Sequence, residues 1–422
     1  MTNDDPLRIA LTSYRSKPHC GGQGVYVRQL SQALTHLGHS VEVFSGPPYP
    51  DLDEGVALTQ VPSLDLYNDI DPFRRPKFAE FKTASDVLEY LIMCTAGFGE
   101  PRTFSRRVVP LLAARAAEFD IVHDNQTYGP KLLDIAKHGL PLVGTMHHPI
   151  SIDRRVELAS ASLRKKLPMR RWYGFVRAQQ RVARAIPMSI SPSQSSVDDA
   201  IREFGMRPDQ LVAIPIGVDT ERFRPGTPRV PGRVVAVCSA DVPMKGLPVL
   251  LRAMHALPSD VEAELIVVSR VAPGGATEKL VADLGIGWRV QFVSNLEDDA
   301  LATLLASAEV MCVPSLYEGF SLPAAEAMAS GTPVIASDVG ALPEVVGRDG
   351  ESAVLVPAGD VAALSRALED LLRSPQRRAA MGVSARARAV ERLSWEATAR
   401  ATVDVYRREI ARFAAVHKGA PC

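Results

Sequence analysis

The chain has no excess charge of either sign. Its 48 lysines and arginines balance 48 aspartates and glutamates over 422 residues. Neutrality removes the general electrostatic pull toward nucleic acid. Cysteine is scarce. The five (Cys20, Cys94, Cys238, Cys312 and Cys422) form no C-x-x-C pair, and their number is odd. A disulfide framework is therefore not expected, and reduced thiols in the cytoplasm are. Cys238 and Cys312 fall inside apolar runs, where free cysteine acts as a small hydrophobe. No apolar run approaches the ~18 residues of a membrane span. Met1–Pro6 is acidic and has no apolar h-region, so a signal peptide is not expected. Ala420-Pro421-Cys422 carries no prenylation pattern. What remains, 46% hydrophobic and 23% charged, is a globular chain long enough for two or three domains.

Short apolar runs alternate with longer amphipathic ones almost throughout. Strands are predicted at Leu7–Leu11, Ser40–Phe44, Asp120–His123, Pro141–Thr145, Met188–Ser191 and Leu211–Ile214. The series restarts at Val234–Cys238 and continues with Glu264–Val268, Val290–Val293, Val310–Val313, Pro333–Ser337 and Ala353–Val356. Helical runs such as Ala363–Leu372 lie between them. Such alternation predicts an α/β fold with parallel sheets covered on both faces. The Pro- and Gly-rich end of Gly217–Gly232 reads as a connector between two Rossmann-like domains, 1–220 and 221–394. A last helix, 395–416, either closes the second domain or crosses back onto the first. Asp51–Thr103 is less regular, and Asp65–Pro76 reads as a long loop. Within it Asp69-Ile70-Asp71 follows no strand and reads as solvated charge rather than a metal site.

Five constellations carry chemistry. Glu318-Gly319-Phe320-Ser321-Leu322-Pro323-Ala324-Ala325-Glu326 follows the apolar run Val310–Val313 and reads as strand, tight loop and helix. A helix start at a strand's carboxyl end favours phosphate. Two carboxylates bracketing it suit a ligand with hydroxyls on both sides of a phosphate, such as a nucleotide sugar. Gly21-Gly22-Gln23-Gly24, after the first strand, lets a ligand approach the backbone, yet it is neither G-x-G-x-x-G nor a Walker A loop. Lys245, before Gly246 at a helix start, opposes the helix dipole unless a phosphate sits beside it. His147 and His148 end a strand of the first domain, where histidine can hydrogen-bond a sugar or exchange a proton. Adjacent histidines on an extended chain point apart, which disfavours a metal site. His123 and Asp124 end another strand there and are candidates to line the same cleft on the acceptor side, with His148. Finally, Arg154–Arg184 holds ten Arg or Lys, one acid (Glu157), and Trp172, Tyr173 and Phe175. It suits either an anionic membrane surface or an ordinary helix whose Met169, Trp172, Tyr173 and Val176 pack on the sheet.

Together these residues resemble the family-4 retaining glycosyltransferases over nearly the whole chain. The family has the GT-B fold, two Rossmann-like domains with parallel sheets facing across a cleft. Gly21-Gly22 with Leu37-Gly38-His39 resembles its opening. Ile214–Asp219 with Phe223 and Pro225 resembles its hinge. Glu318 to Glu326, followed by Ala327–Ala336 and Leu342–Val346, resembles its E-x7-E signature. The resemblance implies a hexose moved from a UDP- or GDP-sugar to a sugar or lipid-linked acceptor, with no coenzyme, metal or nucleic acid. Glu326 would bind the donor ribose. Glu318 and the backbone of Gly319, Phe320, Ser321 and Leu322 would hold donor sugar and phosphate. Lys245 would bind the diphosphate, Gly22 would pack against it, and His147 would face the reacting sugar. Two positions depart from the family pattern. Ala240 stands where an arginine is usual, five before the lysine, and Ser269-Arg270 replaces a glycine-rich strand end. Arg270 is the candidate replacement cation. An epimerase or phosphorylase on the same fold is the alternative enzyme, and a non-catalytic nucleotide-binding or membrane-docking protein the alternative class.

Overall fold

In the computed structural model, the structure describes residues 5–17, 22–68 and 70–418. Gly21, Cys20, Cys422 and Asp69 lie outside the described residues. The chain forms two compact units. The first is Met1–Ile214 with Thr398–Cys422, and the second is Pro215–Ala397.

The first unit has a seven-stranded sheet. Its strands are β1 (Arg8–Ser13), β2 (Ser40–Ser45), β3 (Ala57–Gln60), β4 (Ile121–Asn125), β5 (Leu142–Thr145), β6 (Met188–Ser191) and β7 (Leu211–Ala213), in the order β3-β2-β1-β4-β5-β6-β7. The second unit has β8 (Arg233–Val237), β9 (Glu264–Val268), β10 (Val290–Val293), β11 (Val310–Val313), β12 (Val334–Ser337) and β13 (Ala353–Val356), in the order β10-β9-β8-β11-β12-β13. Every strand pairing is parallel, for example Ile9 with Val41 and Ile121, and Val234 with Leu265 and Val310.

Parallel strands covered on both faces must be apolar throughout. In the second unit Val235, Met311 and Val334 pack under the helix Leu322–Ala329, while Val234, Leu265, Val310 and Ile335 pack with the helix Leu247–His255. Each such aliphatic side chain stabilises the fold by about 1.5–3 kcal/mol on full burial. In the first unit Phe44, Val122 and Leu142 pack with Val108, Leu112 and Leu132.

Among the described residues, twelve of the thirteen strands coincide with predicted runs. The exception, β3, is half-exposed and pairs only with β2. The stretch read as irregular also holds the helix Ala84–Cys94 and the start of the helix Glu100–Ala114. The basic stretch is not one amphipathic helix. It breaks into Ser151–Ser160, Leu163–Trp172, a 3-10 turn at Tyr173–Phe175, and Val176–Ala185. Trp172, Tyr173, Phe175 and Val176 pack into the first unit's own core. The aromatics that suggested a membrane-facing side are thus turned inward. Among the described residues no helix is long and apolar enough to cross a membrane. The described cysteines, Cys94, Cys238 and Cys312, are free thiols.

Candidate functional site

In each sheet the crossovers run in opposite directions from one central point, between β1 and β4 in the first unit and between β8 and β11 in the second. Loops at the carboxyl ends of strands diverge at such a point and leave a crevice for a ligand.

In the second unit the loops after β8 and β11 meet there. Lys245 ends a 3-10 turn, Pro243–Lys245, and Gly246 caps the next helix with a left-handed φ of 67°. A Cβ at Gly246 would lie 1.9 Å from the carbonyl oxygen of Pro314, so only glycine allows this approach. The Leu316 N–H donates to the carbonyl of Met244 at 2.8 Å. Stitched in this way, Lys245 Nζ donates to Glu318 Oε1 at 2.8 Å, and the Ser315 hydroxyl donates to the same oxygen at 3.0 Å. The loop after β12 also takes part, because the Ala341 N–H donates to the Glu318 carbonyl at 2.9 Å. Ser321 then caps the helix Leu322–Ala329 by accepting from the Ala324 N–H, and Pro323 occupies the first turn. The dipole of that turn favours an anion at this end.

Glu326 projects from this helix. Its carboxylate accepts no hydrogen bond among the described residues, although Glu326 is only partly exposed. Burial, with a smaller contribution from the charge of Asp298, pushes its pKa up to about 7. A half-buried carboxylate that no group among the described residues engages is open to accept hydrogen bonds from a ligand. Gly319 and Phe320 complete the loop, with Phe320 packed on the core.

Arg270 stands on the loop after β9 and donates twice to Asn295 Oδ1, at 2.6 and 3.2 Å. Its bonds tie it to the loop after β10 rather than to Lys245. Ala240 is buried at 3% exposure, and its N–H donates to the Ser269 hydroxyl.

In the first unit the helix Gly22–His36 follows β1, so Gly22 starts that helix at the carboxyl edge. Gly24 is needed as well, because a Cβ there would lie 2.0 Å from the Lys17 carbonyl oxygen. Across the central point, β4 runs into a loop where Gln126 and Tyr128 have positive φ of 54° and 44°. Non-glycine residues rarely adopt that conformation, and they do so most often at functional sites. Gln126 Oε1 accepts from the N–H groups of His147 (2.6 Å) and His148 (3.2 Å), and its Nε2 donates to the His148 carbonyl (3.0 Å). The histidine loop is therefore clamped by one amide.

The His147 ring is fixed on two sides. Nε2 lies 2.7 Å from Asn125 Oδ1, and Tyr26 stands edge-on with ring centroids 4.6 Å apart. Asn125 Nδ2 donates to the Gln23 carbonyl, which turns the amide oxygen toward His147. Nε2 therefore carries the proton and Nδ1 is left as an acceptor. Burial pushes the ring pKa down to about 4, so His147 is neutral at physiological pH. His148 contacts Asp153 at 3.2 Å.

His123 and Asp124 expose no surface, so they lie beneath the site and not on its wall. β4 is central and covered on both faces, which buries successive side chains alike. His123 bonds Tyr406 and Thr145, both at 2.6 Å, and burial pushes its pKa down to about 3. Asp124 accepts from Thr12 (3.1 Å) and from the Tyr128 N–H (2.8 Å), which holds the strained loop, and burial raises its pKa to about 6. Sequence reading missed Asn125, Gln126, Tyr26 and Tyr406. They join the site through tertiary contacts that leave no local pattern.

Comparison with known proteins bears on the family and the fold. Residues 20–222 match the model of Glycosyltransferase Family 4, and residues 219–388 that of Glycosyl transferases group 1. The chain is 56% identical to an MMP alpha-(1->4)-mannosyltransferase from Mycolicibacterium hassiacum, over 97% of this chain and 100% of the relative. It is 30% identical to a D-inositol 3-phosphate glycosyltransferase of Catenulispora acidiphila, over 96% of each. Among solved structures, sucrose-phosphate synthase from Thermosynechococcus elongatus matches with a TM-score of 0.67 at 23% identity, covering 96% of this chain and 100% of that one. Anabaena HepE in complex with UDP-glucose matches with a TM-score of 0.62 at 18% identity, covering 97% and 100%. The chain belongs to the family-4 glycosyltransferases and has their two-domain GT-B fold.

Proposed function

We propose that this glycosyltransferase moves a hexose from a nucleoside-diphosphate sugar to an acceptor hydroxyl, with retention of configuration and without a metal ion. The M. hassiacum relative makes mannose the favoured hexose and an α-(1→4) linkage the favoured product. The cytoplasm, where a nucleotide sugar is supplied, is the proposed compartment. The observation that carries the reading is the placement of Lys245, Glu318 and the partnerless Glu326 around one helix start at the second unit's central crevice.

In this reading the second unit is the donor side. Lys245 exchanges Glu318 for the diphosphate, and the helix start capped by Ser321 adds the positive end of its dipole. Glu318, released, accepts from hydroxyls of the donor sugar, and Glu326 accepts from the ribose. The first unit is the acceptor side. His147 faces the reacting sugar and accepts a hydroxyl proton in a hydrogen bond at Nδ1, while Gly22 packs near the diphosphate. The acceptor oxygen attacks the anomeric carbon on the face that the phosphate leaves. The carbon–phosphate oxygen bond breaks, and the departing phosphate oxygen takes the acceptor's proton. The protein's main task is to stabilise charge on the leaving diphosphate.

A thermal-shift panel of UDP-, GDP- and ADP-sugars should find one nucleotide that raises Tm, because binding stabilises the folded state. With that donor and a mannoside acceptor in EDTA, NMR of the product should show the donor's anomeric configuration. An inverted product would overturn retention, and loss of turnover in EDTA would overturn metal independence. Conversion of the donor without acceptor would favour an epimerase.

A pH dependence follows from Glu326. The ionised carboxylate accepts from hydroxyls more strongly than the neutral carboxyl, so donor affinity is expected to rise with pH through about 7 and level off above it. The effect on stability has the opposite direction. The folded chain holds this proton above the ordinary carboxylate range, so the group's contribution is full below that range and is lost as pH rises through about 7. Calorimetric titration of Glu326→Gln between pH 5.5 and 8.5 should give weaker, pH-flat binding. An unchanged slope would remove Glu326 from the ribose.

A further inference from the structure

The helix Trp395–Lys418 carries the hydroxyl of Tyr406 into the centre of the first unit, where the side chain is fully buried. Its Oη lies 2.6 Å from His123 Nδ1. The other ring nitrogen of His123 lies 2.6 Å from the Thr145 hydroxyl. Thr145 ends β5, two residues before His147, and it shares its hydroxyl with Tyr26. Tyr26 in turn stands edge-on against the His147 ring, 4.6 Å between centroids. A continuous line of contacts therefore runs Tyr406, His123, Thr145, Tyr26, His147. A neutral imidazole has one donating and one accepting nitrogen. His123 thus fixes the two hydroxyls in one sense: when one gives a proton to the ring, the other receives one. The helix reaches Tyr26 through hydrogen bonds and His147 through the edge-on ring contact that Tyr26 makes.

We propose that Tyr406 is a positioning residue for glycosyl transfer, its hydroxyl setting the orientation of His123 and, through Thr145 and Tyr26, the seat of the His147 ring. The proposal rests on the reading that His147 faces the reacting sugar. Tyr406→Phe keeps the ring and removes only the oxygen. It is expected to lower kcat about 10- to 100-fold, the range that follows small misplacements of reacting groups, while leaving the nucleotide Kd unchanged. The 15N resonances of the His147 imidazole are expected to move. Val405→Ala is the control. Val405 is fully buried on the same helix and has no hydroxyl, so it should lower Tm and leave kcat unchanged at temperatures where the variant is folded. Wild-type kcat in Tyr406→Phe, unmoved His147 resonances, or an equal loss of kcat in Val405→Ala would each overturn the proposal. If the wild-type chain shows no transfer with any donor, the functional reading fails, and the resonance shift still tests the link from Tyr406 to His147.

Discussion

Lys245→Ala is expected to lower turnover about 100- to 1,000-fold with the fold intact, the usual cost of removing one preorganised donor to developing negative charge. Lys245 is the cation that the second unit places at its central crevice, and the arginine that would support it is replaced by the buried Ala240. Arg270, the candidate replacement, is bonded to the neutral Asn295. With Ala240 in place of the usual arginine, the loss should fall at the upper end of the range. Folding should survive because Lys245 is about one third exposed and Glu318 keeps its bond from Ser315. Initial rates with saturating donor, together with a circular-dichroism melt, check both halves. Near-normal turnover would sink the diphosphate assignment.

Gly246→Ala is expected to destabilise the second unit by about 2–5 kcal/mol, the sum of a left-handed backbone cost and an overpacking cost. The added methyl would stand 1.9 Å from the Pro314 carbonyl oxygen, and that carbonyl is backbone, so it yields only if the loop after β11 moves. The same movement would separate Lys245 from Glu318, so activity should fall along with stability. Gly285 supplies the control. Its φ is 66°, nearly that of Gly246, but a Cβ there would meet nothing within 4 Å. Gly285→Ala should therefore show the backbone cost alone, about 1–2 kcal/mol. Urea denaturation of the two variants separates the terms, and equal destabilisation would show that the approach to Pro314 is unimportant.

The fold was largely legible because parallel strands buried on both faces leave plain apolar runs, as Val310–Val313 and Glu264–Val268 do. β3 escaped because an edge strand with one neighbour needs no such run, and Ala57–Gln60 has none. The proposed donor-side residues could be grouped from sequence because Lys245, Gly246, Glu318, Ser321 and Glu326 lie at fixed offsets from strand ends and helix starts. Tertiary pairing hid the rest. Gln126 clamps a loop 21 residues away, and Tyr406 meets His123 across 283 residues. His123 and Asp124 were misplaced onto the cleft wall because a strand end was taken for a surface, whereas β4 is covered to its last residue. Of the two readings left open for the basic stretch, the packed one holds for its aromatics, which serve the core.

The return of residues 398–418 to the first unit sets an order for synthesis. During translation the N-terminal domain usually folds first. Here residues 5–214 leave the ribosome without the helix that seats Tyr406, and His123 waits with one ring nitrogen unmatched. The second unit is continuous, so it can finish while the first is still open. At ordinary elongation rates roughly 10–40 s separate the two halves of the first unit. For that interval the nascent sheet has an uncovered place beside β4, which makes the longer and earlier half of the chain the part most in need of a chaperone.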